Sequence, residues 1–205
     1  MTTQRPKRRG RPSTGAREAI LRATLQLLRE QGVARFTTPE VAQRAGVSEA
    51  SIFYHFNDRV GLLRAAFQAG LDPLREQSTT GFDDPDPEIM LDRLIQAIEN
   101  FLDQSLPVLM AAQSDVELRE ALADYLDEHD LGPHRGVDLV TSYLLREQRA
   151  GRLAADADAQ AVAMMLVGSS FLRTAQNQIM GTERSLPSRQ RVNAALTTML
   201  RPSSD

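Results

Sequence analysis

The sequence contains no cysteine among its 205 residues. A disulfide framework and a metal site built on thiolates are therefore both excluded. Long uninterrupted apolar runs are also missing, so we expect no membrane span, and no apolar segment follows the basic N-terminus as it would in a secretory signal. Apolar residues make up 41% of the chain and charged residues 25%, which is ordinary for a cytoplasmic globular protein of one or two small domains.

Sequence motifs typical of enzymes are missing as well. No serine-centred nucleophile elbow, P-loop or dinucleotide fingerprint occurs. The densest group of catalytic residue types is Asp127-Glu128-His129-Asp130, with His134 beyond Gly132-Pro133. A zinc site would need such ligands to converge on one point, and a solvated turn between helices is the preferred interpretation. We predict no enzyme, no catalytic residue, no metal and no cofactor.

Charge is distributed unevenly along the chain. Residues 1–64 hold 12 Lys+Arg against 5 Asp+Glu, a net charge of +7, whereas residues 65–205 hold 12 against 22, a net charge of −10. The two values add up to the −3 of the whole chain. A basic N-terminal region on an acidic remainder indicates that only the first part contacts a polyanion.

One segment, residues 37–56, has the pattern of two short helices that cross closely. It reads TTPEVAQRAGVSEASIFYHF. Thr38 is predicted to cap the first helix, with Pro39 at its first position. Gly46 supplies a left-handed residue that ends this helix, and Ser48 caps the second. An ordinary helical hairpin is the alternative, but small, glycine, apolar and capping positions in one register favour a DNA-binding helix-turn-helix.

This segment resembles the DNA-binding motif of the tetracycline-repressor (TetR) family. The resemblance covers about the first third of the chain, and the remainder agrees only in its helical layout. It implies an all-α homodimer with an N-terminal three-helix DNA-binding domain and a C-terminal helical-bundle domain that binds a small effector. The match is carried by Thr37-Thr38, Val41-Ala42, Ala45-Gly46-Val47-Ser48, Tyr54-His55-Phe56, Asn57-Asp58-Arg59 and Leu62-Leu63.

We predict three regions: a disordered basic arm over residues 1–13, the helix-turn-helix domain over 14–60, and a ligand-binding and dimerisation domain over 61–205. Asn57 is expected to cap the fourth helix, and Pro73 to kink it or end it early. Pro107 is expected to open a separate short helix after one that ends near residue 104.

The second helix of the motif should place its N-terminal residues on base edges in the major groove. Glu49 can accept from cytosine N4, and Ala50 can meet a thymine methyl group. The resemblance implies that Tyr54 and His55 contact phosphates or groove edges, and that Arg59 stands where the family often has a phosphate-contacting lysine. Phe53 and Phe56 are predicted to lie in the core. The full set of predicted DNA contacts is Arg9, Arg11, Thr38, Ser48, Glu49, Ala50, Ser51, Tyr54, His55 and Arg59.

Two of these contacts lie in the N-terminal arm, where Arg9-Gly10-Arg11-Pro12 resembles the core of an AT-hook. Such a segment either reads the narrow minor groove of A·T-rich DNA or adds only phosphate attraction, and the sequence leaves both open.

The predicted helix over residues 157–180 has an unusually broad apolar face. With the helix over 134–150 it is predicted to form the seam of a homodimer, a fully internal helix being the alternative. Two recognition helices would then read a near-palindromic operator. The predicted interface residues are Val137, Val140, Leu144, Met164, Gly168, Phe171 and Leu172.

An effector pocket is expected among the helices of residues 65–180. Plain core packing is an equally good interpretation of each wall candidate. We predict a ligand-responsive regulator, a repressor released from its operator by an unknown small molecule. The alternative is an architectural or regulatory DNA-binding protein without an effector. The candidate pocket residues are Phe101, Met110, Tyr125, Tyr143 and Met165.

Overall fold

The computed structural model describes residues 15–31, 36–80, 84, 86–113, 115–180 and 186–202, and all regular structure in these ranges is helical. The predicted all-α class is therefore confirmed. No helix in the described ranges combines the length and apolarity needed to cross a membrane. The helices are α1 Ala16–Gln31, α2 Thr38–Ala45, α3 Glu49–Phe56, α4 Arg59–Thr80, α5 Pro87–Gln113, α6 Val116–Glu128, α7 Pro133–Arg149, α8 Ala159–Met180 and α9 Arg189–Met199.

The crossing of α2 and α3 depends on two capped ends. Gly46 closes α2 at φ 68°, a left-handed conformation that glycine adopts without steric cost. The Ser48 side chain caps α3 by accepting from the backbone N–H of Ser51. The N-cap of α2 is Thr37 rather than the predicted Thr38, because the Thr37 hydroxyl accepts from the backbone N–H of Glu40 at 3.4 Å.

The junction between α3 and α4 also differs from the prediction. Asn57 does not begin α4; it closes α3 at a φ of 65°. The capping side chain of α4 is Asp58, whose Oδ1 accepts from the backbone N–H of Gly61 at 2.7 Å. A carboxylate at this position also interacts favourably with the positive end of the helix dipole.

Two prolines that were expected to kink or interrupt helices do not end them. The α4 helix continues past Pro73 to Thr80, and α5 is unbroken from Pro87 through Pro107 to Gln113. A proline inside a helix removes one hydrogen bond and crowds the preceding turn. In α5, Leu106 and Val108 are buried on either side of Pro107, so apolar packing offsets that cost.

The helices share two hydrophobic clusters. The first joins α1, α2 and α3 to α4, the C-terminal half of α5 and α6. The second joins the rest of α5 to α7, α8 and α9. Leu62, Leu63 and Ala66 of α4 belong to the first cluster, so no gap in the core marks a boundary at residue 60. The α4 helix belongs structurally to both predicted domains.

A buried carboxylate links α7 to the loop that follows it. Glu147 is 2% exposed, and its Oε2 accepts from Arg152 Nε at 2.5 Å while its Oε1 accepts from Arg146 Nε at 3.3 Å. The hydrogen bond from Arg152 lowers the pKa of Glu147 below its ordinary value. The ionised carboxylate therefore stabilises the fold above the pKa of an unfolded glutamate, and this contribution is lost as the pH falls through the lower folded value.

Glu147→Gln is accordingly expected to lower the free energy of unfolding at pH 7 by about 1 to 2 kcal/mol, a figure reduced because both arginines are about half exposed. Because the variant has no carboxylate to protonate, its stability should fall less than that of the wild type between pH 6 and pH 3. Urea unfolding followed by circular dichroism measures both effects. The exposed Glu120→Gln is the control, and equal behaviour of the two variants would contradict a stabilising role for Glu147.

Candidate nucleic-acid interface

The exposed side of α3 presents the start of the helix and two aromatic side chains. Glu49 and Ala50 are exposed, Tyr54 is 72% exposed and Phe53 is 47% exposed. The prediction that Phe53 lies in the core is wrong, whereas Phe56 is buried as predicted. Ile52 and Phe56, four residues apart, form the buried stripe of this eight-residue helix, and Phe53 lies about 100° around the axis from Ile52.

The Glu49 carboxylate is held at the N-terminus of α3 by the neighbouring helix. Thr38 Oγ1 donates to Glu49 Oε1 at 2.6 Å. The Thr38 hydroxyl is thus engaged with Glu49, and a phosphate contact through it would require this bond to be exchanged. The Glu49 carboxylate is therefore an oriented hydrogen-bond acceptor at the N-terminus of α3. In this motif that end of the helix faces the base edges.

Four other polar side chains of the motif contact one another in pairs. The Ser48 and Ser51 hydroxyls lie 2.9 Å apart and both belong to the α3 N-cap. Tyr54 and His55 are in edge contact, with ring centroids 5.0 Å apart, and His55 is half-buried. Tyr54 is therefore the most accessible hydrogen-bonding side chain of the pair. Arg9 and Arg11 lie outside the described residues.

Arg59 is directed toward α6 rather than toward the exposed side of α3. Its Nη1 donates to Asp115 Oδ2 at 3.0 Å, and its guanidinium carbon lies 5.2 Å from the centre of the Phe36 ring. Asp115 is also the N-cap of α6 and accepts from the backbone N–H groups of Glu117 and Leu118. The predicted phosphate role of Arg59 would require this half-buried ion pair to open.

Two further contacts join α4 to α6. Arg64 Nη2 donates to the backbone oxygen of Ala121 at 2.8 Å, and Gln68 Nε2 donates to the Tyr125 hydroxyl at 2.6 Å. Three successive turns of α4 are therefore tied to α6. The helix-turn-helix packs on α4, so α4 contacts both the DNA-binding motif and α6.

A cavity of 1180 Å³ lies where the C-terminal end of α6 meets α4, α5, α7 and α8. Its inner end is apolar and buried, and its outer end carries polar and charged side chains. This volume exceeds what most drug-sized ligands occupy. The inner walls are Phe67, Leu71, Ile98, Phe101, Leu102 and Leu109, and the outer residues include His129, Asp130, His134, Arg135, Asp138, Asp158, Met164, Gly168 and Phe171.

Of the five predicted pocket residues, Phe101 alone lines this cavity. Tyr125 is buried in the first cluster and Tyr143 in the second, so their side chains serve core packing. Met110 and Met165 are 50% and 47% exposed and do not line it. Helical periodicity predicts that all of these residues lie on apolar faces. It does not predict which apolar face borders a cavity and which packs against another helix.

The predicted interface residues fall into three groups. Val140 and Leu144 are fully buried within the protomer, which revises their predicted role, because they already pack against α5 and α8. Val137, Met164, Gly168 and Phe171 line the cavity. Leu172 is 55% exposed away from it.

An apolar surface nevertheless remains on α7 and α8. It comprises Leu145, Met164, Met165, Phe171 and Leu172, exposed by between 39% and 69%. We call these five residues the α7–α8 face. Large apolar side chains exposed on this scale along a helix are typical of a protein interface. The predicted interface residues did not include Leu145, and Met165 was assigned to the pocket.

The acidic and histidine-rich turn has a position that sequence reasoning missed. It was predicted to be a solvated turn, and its residues are indeed exposed, but His129, Asp130 and His134 also border the cavity. Asp130 Oδ1 lies 3.0 Å from His134 Nε2. The described residues hold no group of three or more His, Asp or Glu side chains suited to a metal ion.

Comparison with known proteins agrees with this architecture. Residues 20–66 match the family model described as bacterial regulatory proteins, tetR family. The chain is 33% identical over 109 residues to the transcriptional regulator CymR of Pseudomonas putida, a match that covers 50% of this chain and 54% of CymR. It is 28% identical over 156 residues to the transcriptional repressor BepR of Brucella suis biovar 1 (strain 1330), covering 74% and 75% of the two chains.

Among solved structures, NalD of Pseudomonas aeruginosa, the secondary repressor of the MexAB-OprM multidrug efflux pump, superposes with a TM-score of 0.65 at 20% identity. That superposition covers 92% of this chain and 98% of NalD. The match to CymR spans only about half the length of that relative, whereas the fold similarity to NalD extends over nearly the whole chain.

Proposed function

Because the chain belongs to the TetR family of bacterial regulatory proteins, we propose that it is a transcriptional regulator whose binding to duplex DNA is controlled by a small molecule. The observation that carries this proposal is the connection of an exposed α3 to an apolar cavity through α4 and α6. The relatives named above are described as regulators or repressors, which favours repression as the default action.

On DNA, α3 lies in the major groove with Glu49 and Ala50 on base edges. Tyr54 donates to a phosphate, and the basic excess of residues 1–64 supplies sequence-independent attraction. The division expected from the sequence is part of this proposal: residues 14–60 bind DNA, residues 61–205 bind the effector and a second copy, and the arm at 1–13 adds contacts. Deleting residues 1–12 tests the contribution of Arg9 and Arg11, and unchanged operator affinity and salt dependence would exclude it.

The functional unit is a homodimer that buries the α7–α8 face. In this assembly a two-fold axis relates the two copies of the face and directs both α3 helices toward the same DNA duplex. Two such helices read two half-sites of a near-palindromic operator, spaced by about one turn of DNA or a multiple.

The effector occupies the cavity and changes the position of α6. Leu126 and His129 lie at the C-terminal end of α6 and border the cavity, while Asp115 at its other end holds Arg59. A ligand that binds one position of α6 better than the other shifts the equilibrium between two arrangements of α4. An architectural protein without an effector is the alternative, and the cavity favours the regulated form.

Asp115→Asn tests this coupling. Asparagine retains the N-cap of α6 but removes the charge that pairs with Arg59. We expect operator affinity without effector to change by no more than a few fold, and the effector-induced loss of affinity to shrink by about fivefold, since a coupling free energy of about 1 kcal/mol is removed. Fluorescence anisotropy with and without effector measures both. Equal coupling in Asp115→Asn and the wild type would show that the ion pair is not part of the link.

The function itself is tested by selection of duplex DNA. Random duplexes retained by the purified protein at moderate salt are sequenced, and the preferred duplex is then titrated over a range of salt concentrations. We expect an inverted repeat, bound by a dimer with an affinity that falls as salt rises. Recovery of no preferred sequence, or a monomer that binds all duplexes equally, would refute the proposal.

A further inference from the structure

The charges around the cavity point to the class of ligand that it takes. Its described lining contains three carboxylates, Asp130, Asp138 and Asp158, and one guanidinium, Arg135. Among its aspartate and arginine side chains, the described lining therefore carries two more negative than positive charges. The excess is local to the opening, because the inner walls contributed by α4 and α5 are apolar.

The single guanidinium of the described lining is already paired. Arg135 Nη1 lies 3.5 Å from Asp130 Oδ2 and 4.0 Å from Asp138 Oδ2. A carboxylate or phosphate on a ligand would have to compete with these two aspartates for Arg135, and it would approach them and Asp158 at close range. An anionic group is therefore disfavoured at this opening.

A cationic group is favoured at the same opening, because carboxylates there can attract it. Asp158 Oδ1 accepts from the backbone N–H groups of Gln160 and Ala161 at 3.0 Å each, which fixes the carboxylate at the start of α8. Asp138 is exposed on α7, and its contact with Arg135 is at the 4.0 Å limit of an ion pair. Asp158 is therefore oriented by the fold, and both carboxylates are exposed and accessible to a positive charge.

The inner end suits an apolar body, and in particular aromatic rings. Phe67 and Phe101 are in edge contact there, with centroids 6.1 Å apart and planes at 79°. An aromatic ring of a ligand can pack against the edge or the face of either phenylalanine, and a ring face also attracts a cation. The volume of 1180 Å³ holds a body of several rings.

We propose that the effector is a hydrophobic cation: its apolar or aromatic body lies between Phe67, Phe101 and α8, and its positive charge lies near Asp138 and Asp158. This inference rests on the proposed effector function and names the ligand class of the same cavity.

Tetraphenylphosphonium and tetraphenylborate are suitable probes, because they have the same shape and nearly the same size but opposite charge. Binding of each to the purified full-length protein is measured by isothermal titration calorimetry at low salt. We expect the phosphonium to bind at least about tenfold more tightly than the borate, with a preference that decreases as salt is added. Equal affinity, tighter binding of the borate, or binding of neither ion would overturn the inference.

Two variants locate the effect. Asp138→Asn with Asp158→Asn removes both charges while asparagine keeps the α8 cap, and it should reduce the phosphonium preference by about tenfold. Asp156→Asn removes an exposed charge two residues away that does not line the cavity, and it should leave the preference unchanged. If the control reduces the preference as much as the double variant, general acidity explains it and the inference fails.

A third variant tests the position of the ligand body. A Cβ atom at Gly168 would meet no neighbouring atom within 4 Å, so a side chain can leave the backbone freely there, and Gly168→Leu adds bulk to the cavity lining. It should weaken both ions about equally, and unchanged binding would place them elsewhere and overturn the inference. Calorimetry needs no DNA, so its failure leaves the duplex selection intact, whereas failure of that selection refutes the regulator itself.

Discussion

Replacing Ala50 with glutamate is expected to lower affinity for the selected operator by about a hundredfold, which corresponds to about 2.7 kcal/mol. Ala50 is exposed in the first turn of α3, directly beside Glu49. A second carboxylate there would be repelled by the phosphates. It would also be too large for a position beside the base edges that suits a methyl group. Glutamate is a good helix former and favourable near a helix N-terminus, so the fold should be preserved.

The matched control is Ala123→Glu in α6, which makes the same change of charge at an exposed helical position far along the chain. Both variants should unfold within a few degrees of the wild type in a thermal scan followed by circular dichroism. Anisotropy titrations of labelled operator then separate them. Should the two variants bind operator equally well, α3 is not the helix that enters the groove.

The helix-turn-helix could be read from the sequence because its determinants are local. Gly46 and Ser48 act within one turn of their own positions, and both have the conformation and capping bond that the pattern predicts. The exchange of Thr37 for Thr38 as N-cap is a shift of one residue between two threonines of equal capping ability. Local hydrogen bonding therefore determines the element but not its last residue.

Predictions made from a residue and its sequence neighbours were wrong at Phe53 and Pro107. An aromatic residue beside the buried Ile52 was assigned to the core, but a short helix with one buried stripe has no room for it there. Pro107 indicates a break by its chemistry, yet Leu106 and Val108 on either side of it are buried in the two hydrophobic clusters, and α5 is continuous. In both cases tertiary packing overrides the residue's own preference.

The cavity could not be read from the sequence for a different reason. Its walls come from five separate helices, and periodicity identifies an apolar face without saying what that face meets. Tyr125 and Phe101 have similar character, yet one is engaged with Gln68 and the other borders the void. The same limit applies to Val140 and Leu144, whose apolar faces are satisfied inside the protomer.

Leu172→Asp is expected to convert the homodimer into monomers at micromolar concentration and to reduce operator affinity by at least about a hundredfold. Leu172 is 55% exposed in the α7–α8 face, and it does not line the cavity. In a dimer that buries this face, each aspartate would be desolvated in an apolar contact, at a cost of several kcal/mol for two copies related by symmetry. A monomer then presents one recognition helix, and it loses the second half-site along with its contribution to binding.

Sedimentation velocity gives the oligomeric state, and anisotropy with full and half operators gives the affinities. Ile89→Asp is the control, because Ile89 is a large apolar residue that is 45% exposed in the first turn of α5, outside the α7–α8 face, where an acidic residue is well tolerated. The control should remain a dimer with wild-type affinity. A half operator should bind the Leu172→Asp monomer and the wild type with similar strength, because each α3 still makes its own contacts. If Leu172→Asp remained dimeric and bound the full operator normally, the two copies would have to associate through a different surface, and the spacing of half-sites would then follow from that surface instead.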